Sequence, residues 1–411
     1  MEFVLNALAL SYRPLWNADR HLTGIQLFLH DVPDTVSDTA HLLRILQEMW
    51  TPSAPVLLLS PQSPALLQGL LAHATPSPFW AIEVRGSWLA ADSGLLRLAQ
   101  LASSHGVRLI WRGDLSQLPA AEQASYFACS LLHLAPQDAV ALMRTPAGQA
   151  TPTGVQLLNC QMYEDIHSQA LMRRCLDQYQ ASAIAGWPVE DVLHHERGGR
   201  VLQPSHAHVL RLMKAVDADQ PLDTFEEILS EDPLLAYRFM LYANSVAVGS
   251  RNPIDSLRRS LIMVGYEKLK QWLGSLLVQA SEEIDLHPVR QSMVMRAQLT
   301  ACLLDAGVSQ ELRSEVYLCG LFSRLDEILD EPLANSLARL PLSERIPDAA
   351  LQHSGPYAPS LQLARTLECE DCGEAIRAVC AEHEIPLEFV NRSLLRLIAH
   401  WSSARPPWAG S

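Results

Sequence analysis

Four residues in the last part of the sequence have the types and spacing of a zinc site. They follow the pattern C-x2-C-x7-C-x2-H, formed by Cys369, Cys372, Cys380 and His383. Thiolates and imidazoles are the ligands that structural zinc prefers. Cys372, Cys380 and His383 would also share one face of a helix, and residues 375–381 contain no Gly or Pro for a turn between ligand pairs. Buried thiols are therefore the favoured interpretation, with zinc binding as the alternative.

The remaining chemistry-bearing residues form no familiar catalytic motif. The sequence contains no G-x-S-x-G, Walker A or Rossmann glycine pattern, which are the usual signatures of serine hydrolases and nucleotide-binding enzymes. Four histidines lie in or beside a polar stretch, namely His194, His195, His206 and His208. We expect these imidazoles to be solvated rather than to bind a metal.

Composition and charge describe a globular, acidic chain. The 411 residues predict two or three domains, and the sequence is 48% hydrophobic and 18% charged. The net charge of -14 argues against general nucleic-acid binding. Apolar runs such as Val56–Leu59 are too short to cross a bilayer, and the first residues lack the basic region of a secretory signal. Eight irregularly spaced cysteines indicate buried or free thiols. We therefore expect a cytoplasmic protein with no nucleic-acid or membrane partner.

Short apolar segments recur along the first half, and their starts lie 23 to 27 residues apart. After a first strand that includes Leu8–Tyr12, the predicted strands are Val56–Leu59, Trp80–Val84, Val107–Trp111, Ser130–Leu134, Val155–Asn159 and Ala181–Ala185. Helix-like stretches such as Ser93–Ser104 and Tyr163–Tyr179 lie between them. Apolar strands that alternate with helices indicate a parallel sheet. The repeat predicts either an open α/β sheet or a (βα)8 barrel over residues 1–195, and the number of units is close to that of a barrel.

The pattern changes after Pro188. Residues 196–204 are polar and contain glycine, so they predict a linker. Beyond the linker, Thr224 and Glu227 have the spacing of a capping box, and Asp232 is placed to cap a helix over Leu234–Ala243. A further helix is predicted to end at Gly265. The fold class is therefore α/β plus all-α, with a helical domain over residues 205–405 and a tail over residues 406–411.

The first half resembles an EAL domain, the barrel that hydrolyses cyclic di-GMP. The segment Tyr12–Leu15 is similar to the YQPI opening of that family, and Gly24–His30 stands where the family has G-V-E-A-L-L-R. The closing segment Ala181–Pro188 resembles the family's QGYLFxxP end. This resemblance implies an EAL-type barrel in degenerate form.

The second half resembles an HDOD domain. Its signature residues are Asp232–Leu235, Tyr242–Ser245, and Ile254–Leu257 followed by Val264-Gly265. A barrel followed by an HDOD domain is a known bacterial signalling architecture, so the resemblance covers nearly the whole chain. It implies a role in signal transduction rather than in metabolism.

The resemblance also implies where metal ligands should lie, and most of those positions carry other residue types. In the barrel the replacements are Gln26, Leu58, Arg112, Gly113, Tyr163 and Ala181, while His30 replaces an arginine. The family's lysine is absent because the first lysine is Lys214. In the helical half, Ser323 and Arg324 replace the HD dipeptide, and Arg296 stands near the position of the upstream histidine. We predict no catalytic residue, no metal and no cofactor.

Glu83 is the one barrel ligand that this alignment retains. It is interpreted as a strand-end residue paired with Arg112 or Arg85, with a remnant metal or ligand contact as the alternative. Asn244 and Ser245 allow two interpretations as well. Either they join two helices, or they contact a partner through the loop Val246–Pro253.

These observations predict a non-catalytic signalling protein. It would act as an interaction scaffold linked to cyclic di-GMP, stress or motility signalling, with other signalling proteins or a second copy of itself as partners. One alternative is a sensor that binds cyclic di-GMP without hydrolysis. Another is an active enzyme, either a cyclic di-GMP phosphodiesterase or an HD-type metal phosphohydrolase.

Overall fold

A computed structural model describes residues 5–115, 117–144, 160–198, 200–246, 248–249, 252–304, 308–404 and 406–408. The chain separates into two compact units. The barrel unit comprises Met1–Asp191 together with Thr366–Ser411, and the helical unit comprises Val192–Arg365. Within the described ranges, no helix has both the length and the apolar character needed to cross a membrane.

The barrel unit is built on a closed barrel whose eight strands follow one another in sequence order. The strands are β1 Leu8–Trp16, β2 Leu22–Asp31, β3 Val56–Pro61, β4 Trp80–Arg85, β5 Leu109–Asp114, β6 Cys129–His133, β7 Gln161–Glu164 and β8 Ala183–Ala185. β1 runs antiparallel to both of its neighbours, whereas the other pairs are parallel. Only residues 17–21 join β1 to β2, and such a short link allows a hairpin but no crossover.

Helices cover the connections between the parallel strands. They are α1 Thr39–Met49, α2 Pro64–His73, α3 Gly86–Ala91, α4 Ser93–Ser104, α5 Ala121–Ala124, α6 Pro136–Arg144 and α7 Gln169–Arg173, which continues as a π-helical turn over Arg174–Gln178. α4 has the predicted bounds because Asp92 caps it, accepting hydrogen bonds from the backbone N–H groups of Gly94 (2.7 Å) and Leu95 (3.4 Å).

One predicted helix differs from the structure, and one predicted strand, Val155–Asn159, lies outside the described residues. The strand β7 over Gln161–Glu164 was not predicted. The predicted helix Tyr163–Tyr179 was wrong in its first residues, because Tyr163 and Glu164 belong to β7. The short run of β7, with only four residues, offers too few alternating positions to reveal a strand from sequence.

The barrel interior is closed by side chains rather than open as a pore. Residues from alternate positions of most strands meet there, namely Leu15, Val56, Leu58, Ala81, Ile110, Cys129, Leu131, Met162, Ala183 and Ala185. Trp408, from the far end of the chain, joins the same cluster. A small eight-stranded barrel normally fills its interior in this way.

The helical unit contains helices and no sheet among its described residues. After α8 Val189–Arg197, within which the boundary between the units falls, its helices are α9 His206–Asp217, α10 Leu222–Ser230, α11 Pro233–Ala243, α12 Leu257–Leu277, α13 His287–Cys302, α14 Gln310–Phe322, α15 Leu325–Leu329, α16 Leu333–Ala338, α17 Arg345–Leu351 and α18 Ala358–Thr366. α12 is broken at Gly265, whose φ of 71° is not helical, where the sequence predicted a helix end.

Asp232 organises the start of α11 as predicted. Its carboxylate accepts hydrogen bonds from the backbone N–H groups of Leu234 (2.9 Å) and Leu235 (3.1 Å), and also from that of Ser205 (2.7 Å). The predicted capping box at Thr224 was wrong. α10 already begins at Leu222, with Pro221 in the capping position, so Thr224 lies inside the first turn.

Two further helices, α19 Gly373–Glu382 and α20 Leu387–His400, follow the helical unit in sequence but pack in the barrel unit. Asn391 on α20 is fully buried, accepts from the N–H of Leu10 (3.1 Å) and donates to the carbonyls of Leu5 and Leu8 (both 2.7 Å). These units differ from the predicted boundaries, which assigned residues 205–405 to one helical domain. An amphipathic pattern shows that a helix buries one face but not which element covers that face.

Asn244 ties the end of α11 to the segment before α12. Its side-chain amide donates to the carbonyls of Met240 and Ile254, and its oxygen accepts from the N–H of Ile254, each over 2.9 Å. These contacts support the interpretation of Asn244 as a joint between two helices. Ser245 makes a local bond to the carbonyl of Tyr242 over 2.7 Å.

We expect Asn244→Ala to lower the free energy of unfolding by about 1–2 kcal/mol, because it leaves the Ile254 backbone groups without their partner. Ser245→Ala is the matched control and should cost less than about 0.5 kcal/mol, since it removes one local bond at a half-exposed position. Urea denaturation of both variants measures the difference. A stability of Asn244→Ala equal to that of the parent would instead favour a role in partner contact.

Candidate functional site

Six charged side chains meet toward the carboxyl ends of the parallel barrel strands. Five come from the barrel itself, Arg13 on β1, Glu83 and Arg85 on β4, Arg112 on β5 and Glu164 on β7, and the sixth is Glu370 from the segment that follows Thr366. All six lie in the barrel unit. We call this set the mouth cluster. It contains three guanidiniums and three carboxylates, so its formal charges cancel.

Arg112 is the centre of the mouth cluster. Its Nε and Nη2 donate to the two oxygens of Glu164, both over 2.8 Å. Its Nη1 and Nη2 donate to the two oxygens of Glu370 over 2.6 and 2.8 Å, and Nη1 also donates to Glu83 over 3.1 Å. A guanidinium has five N–H donors, and these five bonds use all of them. Burial alone would lower the pKa of Arg112, but the charge of Glu83 and the bonds to Glu370 and Glu164 raise it.

Glu83 lies deepest in the mouth cluster, with only 1% of its surface exposed. Its second oxygen accepts from the Gln26 amide over 2.8 Å and from the Ser60 hydroxyl over 2.5 Å. The predicted local pairing with Arg112 is therefore observed, while the Nε atom of Arg85 lies 3.9 Å away. Gln26 replaces the family's glutamate with an amide that can donate, so two carboxylates do not face each other here.

Glu164 is the neighbour of Tyr163, near which the resemblance placed the later glutamate of the EAL family. Glu164 is 2% exposed and accepts from Arg112 and, over 3.2 Å, from Arg13. Adjacent residues of a strand point to opposite faces of the sheet, so Tyr163 and Glu164 lie on opposite faces of β7. Tyr163 instead donates to the side chain of Gln161 over 3.0 Å. Two strand carboxylates, Glu83 and Glu164, therefore belong to the mouth cluster.

Glu370 is the residue that sequence reasoning missed altogether. It accepts from Arg13 over 3.0 Å and from Arg85 over 3.2 Å, in addition to its two bonds from Arg112. Burial opposes its ionisation, yet the bonds from Arg112 and the charges of Arg13 and Arg85 hold the pKa of this carboxyl below its usual value. Its position nearly 200 residues beyond β8 left no local signal by which to connect it with the barrel.

The other predicted positions contribute no ion pair to the mouth cluster among the described residues. Leu58 belongs to the apolar interior. His30 exchanges a hydrogen bond of 3.1 Å with Ser11, and burial lowers its pKa. Gly113 lies in β5 beside Arg112, and Ala181 is buried just before β8.

One possible metal group occurs among the residues that the structure describes. His133, Glu164 and Asp165 bring potential ligand atoms within 4.8 Å of one another. His133 and Asp165 are bonded over 2.9 Å, and both oxygens of Glu164 already accept from Arg112. Both Glu164 oxygens and one Asp165 oxygen are therefore already paired with protein groups.

The cysteine and histidine cluster does not meet as one site. Cys369 and Cys372 form a disulfide with each other. The prediction of buried thiols was therefore wrong for this pair, in which Cys369 is exposed, but it holds for Cys380. Burial raises the pKa of Cys380 to about 11. A second disulfide joins Cys129 to Cys160, two further residues expected as thiols.

The two residues at the positions of the HD dipeptide form hydrogen bonds with residues close to them in sequence. Ser323 ends α14 and donates to the carbonyl of Gly320 over 2.8 Å. Arg324 pairs with Glu327, with its Nε donating over 2.7 Å. Arg296 lies on α13 and is 8% exposed. These side chains offer hydrogen-bond donors rather than metal ligands.

Comparison with known proteins identifies the second half. Residues 202–330 match the family model of the HDOD domain. The chain is 23% identical over 204 residues to the cyclic di-GMP phosphodiesterase CdgJ of Vibrio cholerae serotype O1, and the match covers 49% of this chain and 47% of CdgJ. The chain thus spans about half the length of this curated relative.

Two solved structures are also similar. The MmoQ response regulator from Methylococcus capsulatus aligns with a TM-score of 0.38 and 18% identity, over 47% of this chain and 98% of MmoQ. The EAL-like domain protein YdiV aligns with a TM-score of 0.32 and 13% identity, over 45% of this chain and 92% of YdiV. The chain therefore contains an HDOD domain at residues 202–330, in addition to the closed eight-stranded barrel.

Proposed function

We propose that this protein is a non-catalytic signalling protein whose barrel and HDOD domain serve as a binding scaffold. The observation that carries this proposal is the saturation of Arg112. All five of its donors are bonded to Glu83, Glu164 and Glu370. The cation that these carboxylates hold is therefore a guanidinium that belongs to the chain.

Metal-assisted phosphodiester hydrolysis requires carboxylate oxygens that are open to a divalent ion. Both oxygens of Glu164 accept from Arg112, and both oxygens of Glu83 accept from Arg112, Gln26 or Ser60. A divalent ion entering the mouth cluster would have to displace a buried positive charge that also repels it. This arrangement opposes the assembly of a hydrolytic metal centre.

The helical unit supports the same proposal. An HD-type hydrolase needs a histidine and aspartate ligand set. Ser323 and Arg324 stand at the dipeptide position, where they bond to Gly320 and Glu327. The hydrophobic framework around them is retained, with Cys319, Phe322 and Leu325 fully buried. A fold that keeps its core without its ligands can still present surfaces for binding.

A second candidate function is a sensor that binds cyclic di-GMP without hydrolysing it. It is favoured by the way Arg13, Arg85 and Arg112 surround the Glu370 carboxylate with N–O distances of 2.6 to 3.2 Å. Guanidiniums recognise phosphate oxygens with the same geometry as carboxylate oxygens. The relative CdgJ is itself named a cyclic di-GMP phosphodiesterase. In this chain such a ligand would have to displace Glu370.

The scaffold proposal predicts that the purified chain does not hydrolyse cyclic di-GMP in the presence of Mg²⁺ or Mn²⁺. It also predicts less than a stoichiometric amount of Mn, Fe or Zn by elemental mass spectrometry. Glu83→Gln is the control, because it would abolish any turnover that arises in the barrel. Turnover by the parent chain that is lost in Glu83→Gln would show an active enzyme.

The sensor candidate is tested by calorimetry with cyclic di-GMP. Glu370→Gln removes the competing negative charge and should strengthen binding at least ten-fold relative to the parent chain, a difference of about 1.4 kcal/mol. The matched control is Glu374→Gln, which changes an exposed carboxylate on α19. Absence of binding by all three proteins at high ligand concentration would reject the sensor candidate.

The mouth cluster also predicts a pH-dependent stability. Arg112→Gln should destabilise the protein by about 3–5 kcal/mol near neutral pH, because three carboxylates lose their central partner. The folded-state pKa of Glu370 is lowered, so its contribution is present above the unfolded value and is lost as the pH falls through the folded value.

The difference between the parent and Arg112→Gln should therefore shrink as the pH falls below about 4.3, the ordinary pKa of a glutamate. Arg97→Gln, at an exposed position of α4, is the control and should change stability by less than about 0.5 kcal/mol. Denaturant titrations at several pH values measure both effects. A penalty for Arg112→Gln that stays constant with pH would contradict the charge network.

A further inference from the structure

Glu370, the member of the mouth cluster that does not come from a barrel strand, lies in a loop that a disulfide closes. Glu370 is flanked by Cys369 and Cys372, which are bonded to each other. Cys369 is exposed and Cys372 is half-buried. The other disulfide of the barrel unit offers a contrast, because Cys129 is fully buried in the apolar interior. Of the four disulfide-bonded cysteines among the described residues, Cys369 is exposed, Cys160 and Cys372 are half-buried and Cys129 is fully buried, so Cys369 has the sulfur most open to reagents in solution.

Both ends of this loop are anchored to the barrel independently of the disulfide. The carbonyl of Leu367 accepts from the N–H of Tyr12 over 2.8 Å. Gly373 is buried against His30, and a Cβ at this glycine would lie 2.7 Å from the imidazole side chain. The segment between these anchors is therefore the part whose conformation the disulfide restricts. Breaking the disulfide would loosen this loop without releasing α19 or α20.

The charge of the mouth cluster depends on that loop. With Glu370 in place, three guanidiniums face three carboxylates. If Glu370 leaves, Arg13, Arg85 and Arg112 keep only Glu83 and Glu164, and the cluster carries one net positive charge. Arginines in this state form a site for a phosphate or carboxylate group. The conformation of the loop thus sets whether the cluster is satisfied internally or open to an anion.

We propose that Cys369 and Cys372 form a reversible thiol–disulfide exchange site that latches Glu370 into the mouth cluster. The disulfide fixes the backbone of Glu370 and Asp371 and lowers the entropy lost when the carboxylate binds the arginines. Reduction of this disulfide increases the fraction of time that the Glu370 carboxylate spends outside the mouth cluster. This proposal rests on the second candidate function, the sensor, because it treats the mouth cluster as an anion-binding site rather than as a metal centre.

The reductant is a protein or small-molecule dithiol. Its thiolate attacks the exposed sulfur of Cys369, the bond between Cys369 and Cys372 breaks, and Cys372 leaves as a thiolate that takes up a proton. The second thiol of the reductant then attacks the mixed disulfide and releases Cys369 as a thiol. Two electrons pass from the dithiol to the cysteine pair, and the dithiol becomes a disulfide. Reoxidation by a disulfide reagent reverses the steps.

The test follows the full-length chain before and after treatment with dithiothreitol, with the state of each cysteine measured by alkylation and peptide mass spectrometry. Amide hydrogen exchange reports on the peptide that contains Glu370, and modification by phenylglyoxal reports on access to Arg85 and Arg112. Reduction should raise the exchange rate of that peptide on the order of ten-fold. It should also speed the modification of both arginines, and reoxidation should restore the original rates.

Two variants separate the latch from general loosening. The double variant Cys369→Ser, Cys372→Ser should behave as the reduced protein does and should not respond to dithiothreitol, while keeping Cys129 and Cys160. Glu370→Gln should show rapid arginine modification in both redox states. Unchanged rates in the parent, despite alkylation of Cys369 and Cys372, would overturn the latch, as would faster exchange without faster arginine modification. None of these readouts depends on turnover. A failure of the latch proposal can therefore be distinguished from a failure of the scaffold proposal.

Discussion

The barrel unit depends on a charge balance around one buried guanidinium. Arg112 is 12% exposed in its side chain and holds carboxylates from β4, β7 and the segment after Thr366. A buried ion pair is stable only when its partners satisfy one another, and removal of any single member leaves an uncompensated charge. The amide of Gln26 belongs to the same balance, because a second carboxylate at that position would face Glu83. The residue types at these positions are therefore coupled and cannot be interpreted one at a time.

Much of the fold could be predicted from local patterns. The bounds of α4 and the cap at Asp232 follow from side chains that lie within three residues of the groups they bind. The apolar runs of β3 and β4 are long enough to indicate buried strands. β7 was not predicted, because it has only four residues and its last three are all buried. Such a short element without alternating burial gives no period-two signal in the sequence.

The mouth cluster could be predicted only in part, because one of its members is far from the others along the chain. Glu83 and Arg112 are on neighbouring strands, so the repeat of strands indicated that they would meet. Glu370 is 258 residues from Arg112, and only the packing of α19 and α20 in the barrel unit brings the two together. The cysteine spacing similarly suggested metal ligation or burial, whereas the exposure of Cys369 depends on tertiary structure. Sequence patterns gave the chemistry of these residues but not their neighbours.

The barrel unit is discontinuous in sequence, and this has a consequence for biosynthesis. Residues of the helical unit lie between β8 and the segment that supplies Asn391 and Trp408 to the barrel. During translation from the amino terminus, the eight strands emerge long before that segment does. The helical unit is a separate compact unit, and its whole sequence is translated while the barrel still lacks these buried side chains. The nascent barrel therefore stays incomplete, and accessible to chaperones, until the HDOD domain has left the ribosome.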